Sequence, residues 1–287
     1  MSGRRWARWG TGVVAVAAAL VAAGLAAPAD AASAVRVKKD VVYRTVDGEP
    51  LKLDVYQPGS GGEKRPAVVL VHGGGWRSGD KSSFAPQADQ LARRGFAAFS
   101  VDYRLAPAHP YPAAVDDVEA SVVWVRRHAK DYGVDPASVG ALGASAGGHL
   151  VGMLATDGEG SLKTGHRVAA AVSWSGPMDF AGFAPVAGTR AGAAISSFLG
   201  CAPDACPGTY AAASPVTHVD KTDAPMLIVN SANELVPRSQ ADAMKAALDR
   251  AGVANQEIIL PGTAHARAYA SRVWDQTVRF FQNELTR

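Results

Sequence analysis

The chain has 287 residues, 48% of them hydrophobic and 19% charged, with no sustained low-complexity tract beyond its N-terminus. That is ample for one large domain with a substantial core. The formal charge is +3, but Arg4, Arg5, Arg8 and Asp30 all precede residue 33, leaving about +1 on the remainder. Such a balance offers no footing for a nucleic acid or an anionic membrane surface.

The first 32 residues read as a secretory signal peptide. Arg4, Arg5 and Arg8 form a positive start, Val13 to Ala27 an apolar run, and Ala29, Ala31 and Ala32 a small-residue cleavage site. Removal of this leader leaves residues 33–287 as a single exported domain with no stable membrane association. In an oxidising compartment the two cysteines, Cys201 and Cys206, favour a local disulfide. A bridge that short stiffens a loop rather than holding a fold together.

Two alternating runs flank Asp47-Gly48, a hairpin signal. Pro58 to Gly62 is a loop, and Pro66 introduces AVVLV, an apolar run suited to a strand buried on both faces. His72-Gly73-Gly74-Gly75-Trp76 follows directly. A helix over about Pro86 to Arg94 closes at Gly95, and FAAFSVDYR is the next buried strand. After a proline-punctuated loop comes a helix from about Ala113 to Lys130. Its apolar face is Val115, Val118, Val122, Val125 and Ala129, with acids early and bases late.

Val139 to Leu142 then leads into Gly143-Ala144-Ser145-Ala146-Gly147, and helix-compatible residues continue to Thr156. Strand, G-x-S-x-G, helix is the arrangement in which a sharp turn lifts a serine hydroxyl above a parallel sheet. VAAAVSW is another strand, and an irregular insertion runs from Gly176 to about Val219. MLIVN, a helix over Gln240 to Ala251, the strand NQEIILP and a terminal amphipathic helix through Phe280 and Phe281 complete the chain. Alternating strands and helices define an α/β fold: a mostly parallel central sheet with helices on both faces.

A serine hydroxyl needs a neighbouring base to become a nucleophile. In this architecture the order along the chain is serine, acid, histidine. Of the histidines beyond Ser145, His149 lies one turn along the same helix and is expected to pack or cap locally. His166 sits in a polar loop, and His218 precedes the strand that should introduce the acid. His265 alone lies between the last strand and the terminal helix, where a loop can bring a base over the serine. The backbone N–H groups of Gly73, Gly74 and Ala146 are the expected donors to a developing oxyanion.

Several segments in the same order resemble one family. HGGGW, DYRLAP, GVDPASVGALGASAGGHL, the Ser214-Pro215 pair, ELVP and PGTAH look like the α/β-hydrolase esterases. The match is to the branch containing hormone-sensitive-lipase-like enzymes and bacterial feruloyl and acetylxylan esterases, and it runs from about Val41 to Phe281. It implies an α/β-hydrolase fold and a serine carboxylic ester hydrolase without cofactor or metal, acting on short-chain, aryl or carbohydrate esters, and the leader makes it a secreted one. A peptidase or amidase of the same fold, or a non-catalytic binding protein on this scaffold, are the other readings. DYRLAP, Pro110 and Pro112 look structural, shaping a loop beside the site, and the insertion is expected to lie over it.

One segment departs from the family. The acid is expected in a stretch like G-x-x-D-x-x-V-P, and here Asn230 to Pro237 reads NSANELVP. Asn233 occupies the aspartate position and Glu234 is next. Glu234 is favoured as the only carboxylate in the expected loop. Asn233, as a neutral partner of His265, and Asp179, where some lipases of this fold resemble it in carrying the acid, are the alternatives.

Overall fold

A computed structural model describes residues 34–60, 64–182 and 189–286, so the expected signal peptide lies outside the described residues. In chain order the strands are β1 (Arg36–Val46), β2 (Glu49–Gln57), β3 (Arg65–Val71), β4 (Ala97–Val101), β5 (Val134–Ala144), β6 (Ala171–Trp174), β7 (Met226–Ser231) and β8 (Asn255–Leu260). The helices are α1 (Ala85–Arg93), α2 (Ala113–Arg127), α3 (Ala146–Thr156), α4 (Arg190–Leu199), α5 (Pro207–Ala212), α6 (Ser239–Ala251) and α7 (Ala270–Leu285). The eight strands form one sheet in the order β1-β2-β4-β3-β5-β6-β7-β8. Only β1 with β2 and β2 with β4 pair antiparallel. Every other neighbouring pair is parallel, which gives the α/β-hydrolase arrangement.

The β1–β2 hairpin turns at Asp47 and Gly48, both at positive φ as a tight hairpin of this twist requires. Alternation along β3 sets the layers. Val69 and Val71 pack into the core with α2, α3 and α6, through Val118, Val122, Leu150 and Met244. Val68 and Leu70 face the other side, against Leu91 of α1 and Val273, Val278 and Phe281 of α7. A strand buried on both faces is apolar throughout, which is why AVVLV shows no alternation.

The insertion is more regular than expected. Thr189 accepts from the Gly192 N–H at 3.2 Å to cap α4, and Gly200 ends that helix in the left-handed region. Pro207 starts α5 at its first turn, where a missing N–H costs nothing. Cys201 and Cys206 are joined as a disulfide between the two helices. Helix α2 stops at Arg127 rather than Lys130, and β5 begins at Val134, five residues before its apolar run. Among the described residues no helix is long and apolar enough to cross a membrane.

The parallel register determines what meets at one edge of the sheet. Val71 lies beside Gly143, Ala144 beside Trp174, Trp174 beside Val229, and Ser231 beside Leu260. The loops leaving β3, β5, β6, β7 and β8 therefore emerge together, the place where open α/β sheets assemble their ligand sites.

Candidate active site

Ser145 sits between β5 and α3 at φ 55 and ψ −120, a conformation rare for a residue with a Cβ. Holding it there costs about 1–3 kcal/mol, which the surrounding packing must offset. Two anchors fix the turn: the Ser145 N–H donates to Trp174 O at 2.7 Å, and the His149 N–H donates to Ser145 O at 3.0 Å. Close approach of α3 to β3 explains Gly147, where a Cβ would lie 2.1 Å from Val71 O. The same crowding applies to Gly73, where a Cβ would come within 2.7 Å of Ala144 O and 3.2 Å of the Ser145 Cβ.

The Ser145 hydroxyl is 2.9 Å from His265 Nε2. On the other side of the ring, His265 Nδ1–H donates to Glu234 Oε2. The Glu234 side chain is completely buried, and its other oxygen accepts from the Ser175 hydroxyl at 2.7 Å and the Ser231 N–H at 2.8 Å. A buried carboxylate with three donors is satisfied rather than stranded. The structure thus brings Ser145, His265 and Glu234 into one hydrogen-bonded row.

The alternatives lie elsewhere. The Asn233 N–H donates to Gly262 O at 3.1 Å, and its exposed side chain enters no hydrogen bond with a described residue. The Asp179 carboxylate accepts from the Gly182 N–H, and its own N–H donates to Gln240 Oε1, so it serves the start of the insertion.

Gly73 and Gly74 line the cleft with Ser145 and His265. Ala146 is the first residue of α3, so its N–H has no acceptor within the helix. Among the described residues, no hydrogen bond outside the helices and strands uses the N–H of Gly73, Gly74 or Ala146. His72 supports this loop from below. Its Nδ1–H donates to Gly73 O at 2.7 Å, its ring stacks on Tyr103 at 4.2 Å, and Tyr103 O–H donates to His72 O. Burial pushes the His72 imidazole below its ordinary pKa, keeping it a neutral strut. The remainder of DYRLAP is structural too: the Arg104 guanidinium forks onto the buried Asp117 carboxylate at 2.8 and 2.9 Å.

His149 is fully buried between Trp76, Phe180 and Phe198. Its Nδ1 accepts from Trp76 Nε1–H at 3.3 Å and its Nε2–H donates to Ala213 O at 2.7 Å. Burial pushes its pKa down to about 4, so it is a neutral packing group, as expected. His166 faces Glu119, and His218 faces Asp157 and Ala212 O.

Sequence reasoning missed Ser175 and Tyr269. Ser175, directly after β6 at φ 53, accepts from the Ala266 N–H at 2.9 Å and lies 2.7 Å from the Tyr269 hydroxyl. Tyr269 O–H donates to Val229 O at 2.9 Å, and burial pushes its phenol up, so it stays protonated. Together they tie the His265 and Glu234 loops to the sheet. The only signal in the sequence was a serine at the end of a buried strand.

The cleft above Ser145 encloses about 910 Å³. Its walls come from the loop after β3, the first turns of α4, Leu235 and the segment after His265. Among the described residues, no group of three or more His, Cys, Asp or Glu side chains is placed to hold a metal ion.

Residues 53–248 match the model of the BD-FAE family. The chain belongs to that family. BD-FAE proteins are hormone-sensitive-lipase-like esterases. A similar curated protein is the probable carboxylic ester hydrolase LipM of Mycobacterium tuberculosis, 31% identical over 213 residues, 70% of this chain and 49% of LipM. The chain spans about half or less of the length of the curated relatives it matches. Among solved structures, a truncated carbohydrate esterase from gut microbiota superposes with a TM-score of 0.75 at 25% identity, covering 88% of this chain and 97% of that one. A thermophilic esterase from the Planctomycetes species Thermogutta terrifontis gives a TM-score of 0.72 at 26% identity, covering 88% and 93%, and has also been solved phosphorylated by paraoxon. This BD-FAE chain therefore has esterases as both sequence relatives and structural neighbours.

Proposed function

We propose that this chain is a secreted serine carboxylic ester hydrolase that works through an acyl-enzyme, with Ser145 as nucleophile, His265 as base and Glu234 as acid. The observation that supports it most is the row Ser145–His265–Glu234 opening into a cleft beside Gly73 and Gly74. His265 Nε2 takes the Ser145 proton as Oγ attacks the ester carbonyl, and Glu234 holds the ring in the tautomer that leaves Nε2 free to accept. The oxyanion of the tetrahedral intermediate is bound by N–H groups of Gly73, Gly74 and Ala146. His265 then gives its proton to the departing alkoxide, and water repeats the sequence on the acyl-Ser145 ester. The reaction needs no cofactor.

Export rests on the pattern of residues 1–32. Short-chain, aryl and carbohydrate esters are the proposed substrate range, in line with the carbohydrate esterase and the T. terrifontis esterase among its neighbours. The test is an acyl-chain series of chromogenic esters with the purified protein, together with a fluorophosphonate probe. Turnover and labelling should both disappear in Ser145→Ala. Equal labelling and equal turnover in that variant would refute the proposal.

A further inference from the structure

Arg77, Arg190 and Arg267 all line the cleft that holds Ser145, and among the described residues no aspartate or glutamate does. They come from three separate places: the loop after β3, the first residue of α4 and the turn before α7. All three are exposed, and none forms an ion pair among the described residues. Of the other arginines, Arg44, Arg93, Arg94, Arg104 and Arg238 each meet an aspartate, while Arg126, Arg167 and Arg272 donate to backbone carbonyls. The nearby acids are committed. Glu234 is buried against His265, and Asp80 accepts from the Ser82 N–H at 2.7 Å to cap the turn beside the glycine loop. The segment 183–188, which leads into Arg190, contains no acidic residue.

One of these positions works against plain stability. A cation at the start of a helix opposes the helix dipole, and Arg190 sits there. Arg267 is held with its guanidinium 5.9 Å from the centre of the Phe84 ring, which orients the head group without neutralising it. Three guanidinium groups without an ion pair among the described residues line one cleft, and their planar forks suit a planar anion. Arginine matches a carboxylate through two parallel N–H donors.

We propose that the cleft selects esters bearing a carboxylate, recognised by Arg77, Arg190 and Arg267. This rests on the ester-hydrolase reading of Ser145 and names its substrate class. Leu235, Ala191 and Ala194 supply the apolar wall against which the rest of such a substrate lies.

The test compares two matched pairs of substrates. In 4-acetoxybenzoate against 4-acetoxybenzamide the charge is on the departing alcohol. In monoethyl succinate against ethyl succinamate it is on the acyl group. For the wild-type protein at low salt, kcat/KM should favour the anionic member of at least one pair by about tenfold, the scale expected of a few exposed charge pairs. That preference should shrink severalfold at about 0.5 M NaCl, where exposed charges are screened. It should fall toward unity in the Arg77→Gln/Arg190→Gln/Arg267→Gln protein, stepwise in the single variants, with Arg→Lys retaining part of it. No anionic preference in either pair, or one that ignores both salt and the substitutions, would overturn the arginine assignment while leaving ester hydrolysis intact. Failure of wild type to hydrolyse any of the four, or 4-nitrophenyl acetate, would overturn the reading beneath it instead.

Discussion

Glu234→Gln is the most telling single substitution, because the contacts around the carboxylate dictate what the amide must do. Oε1 faces two donors, the Ser231 N–H and the Ser175 O–H, while Oε2 faces the Nδ1–H of His265. A glutamine keeps its carbonyl on the donor pair and turns its NH2 toward Nδ1. The imidazole must then accept at Nδ1 and carry its proton on Nε2, aimed at the Ser145 oxygen it should deprotonate. In a serine protease triad the equivalent exchange lowers kcat by about 10⁴, roughly 5 kcal/mol of transition-state stabilisation. The flipped amide restores the tautomer but sets NH2 against the Ser231 N–H, at a cost of about 1–3 kcal/mol for the spoiled buried bonds. The charge on the acid is lost in both orientations. The expected loss in kcat/KM for 4-nitrophenyl acetate is therefore between about a hundredfold and 10⁴-fold, with the thermal midpoint recorded to confirm folding. Asn233→Asp and Asp179→Asn should stay within about threefold of wild type. Activity of Glu234→Gln within about tenfold of wild type, or a large gain in Asn233→Asp, would refute the assignment.

Other expectations follow from the same contacts. Ser175→Ala removes a donor from Glu234 and an acceptor from the Ala266 N–H, so kcat should fall about ten- to a hundredfold; an unchanged kcat would show that Ser175 does not position the acid. His149, neutral in the fold at a pKa of about 4 against 6.5 in the unfolded chain, gives stability that is complete above pH 6.5 and lost as pH falls toward 4. The loss amounts to about 3 kcal/mol. The thermal midpoint of His149→Gln should thus depend less steeply on pH across that window than wild type's, and parallel slopes would refute the burial argument. If residues 1–32 are a cleaved leader as proposed, the mature protein should begin near Ala32 or Ser33 with both cysteines bridged. Intact mass should then show no alkylation without prior reduction, and uptake of two alkyl groups would exclude the bridge.

What was legible in the sequence was whatever steric or periodic necessity writes into it. Asp47-Gly48 marked its hairpin because only such residues accept two successive positive φ angles cheaply. The glycines around Ser145 marked the elbow because backbone oxygens lie within 2–3 Å of where their Cβ atoms would be. His265 was found by elimination along the chain, since topology leaves few loops that reach Ser145. The insertion was harder to read. The caps at Thr189 and Pro207 were present, but α4 and α5 are short and rich in alanine and glycine, and their apolar faces show only once Ile195, Phe198 and Tyr210 have a core to enter. Ser175 and Tyr269 were illegible for a different reason. Their role depends on β6, β7 and α7 lying together, which no local pattern records.

The acid's position turns on how far β7 continues beside β8. Backbone pairing does not stop at Ser231: Ala232 N–H donates to Leu260 O and Asn233 N–H to Gly262 O, so the chain follows its neighbour for two further residues. That holds residue 233 with its side chain outward, in solvent. The chain then turns back, with the Asn230 amide bridging Ser231 O and Val236 O at 3.0 Å each to close the loop from inside. Residue 234 is the first whose side chain points at the sheet's end, where Ser231 N–H, Ser175 O–H and His265 Nδ1–H converge on the space its carboxylate fills. A glutamate spans that distance with one more methylene than an aspartate. A carboxylate at 233 would lie on the outer side of the same loop, so an asparagine there withholds nothing from the row of hydrogen bonds within.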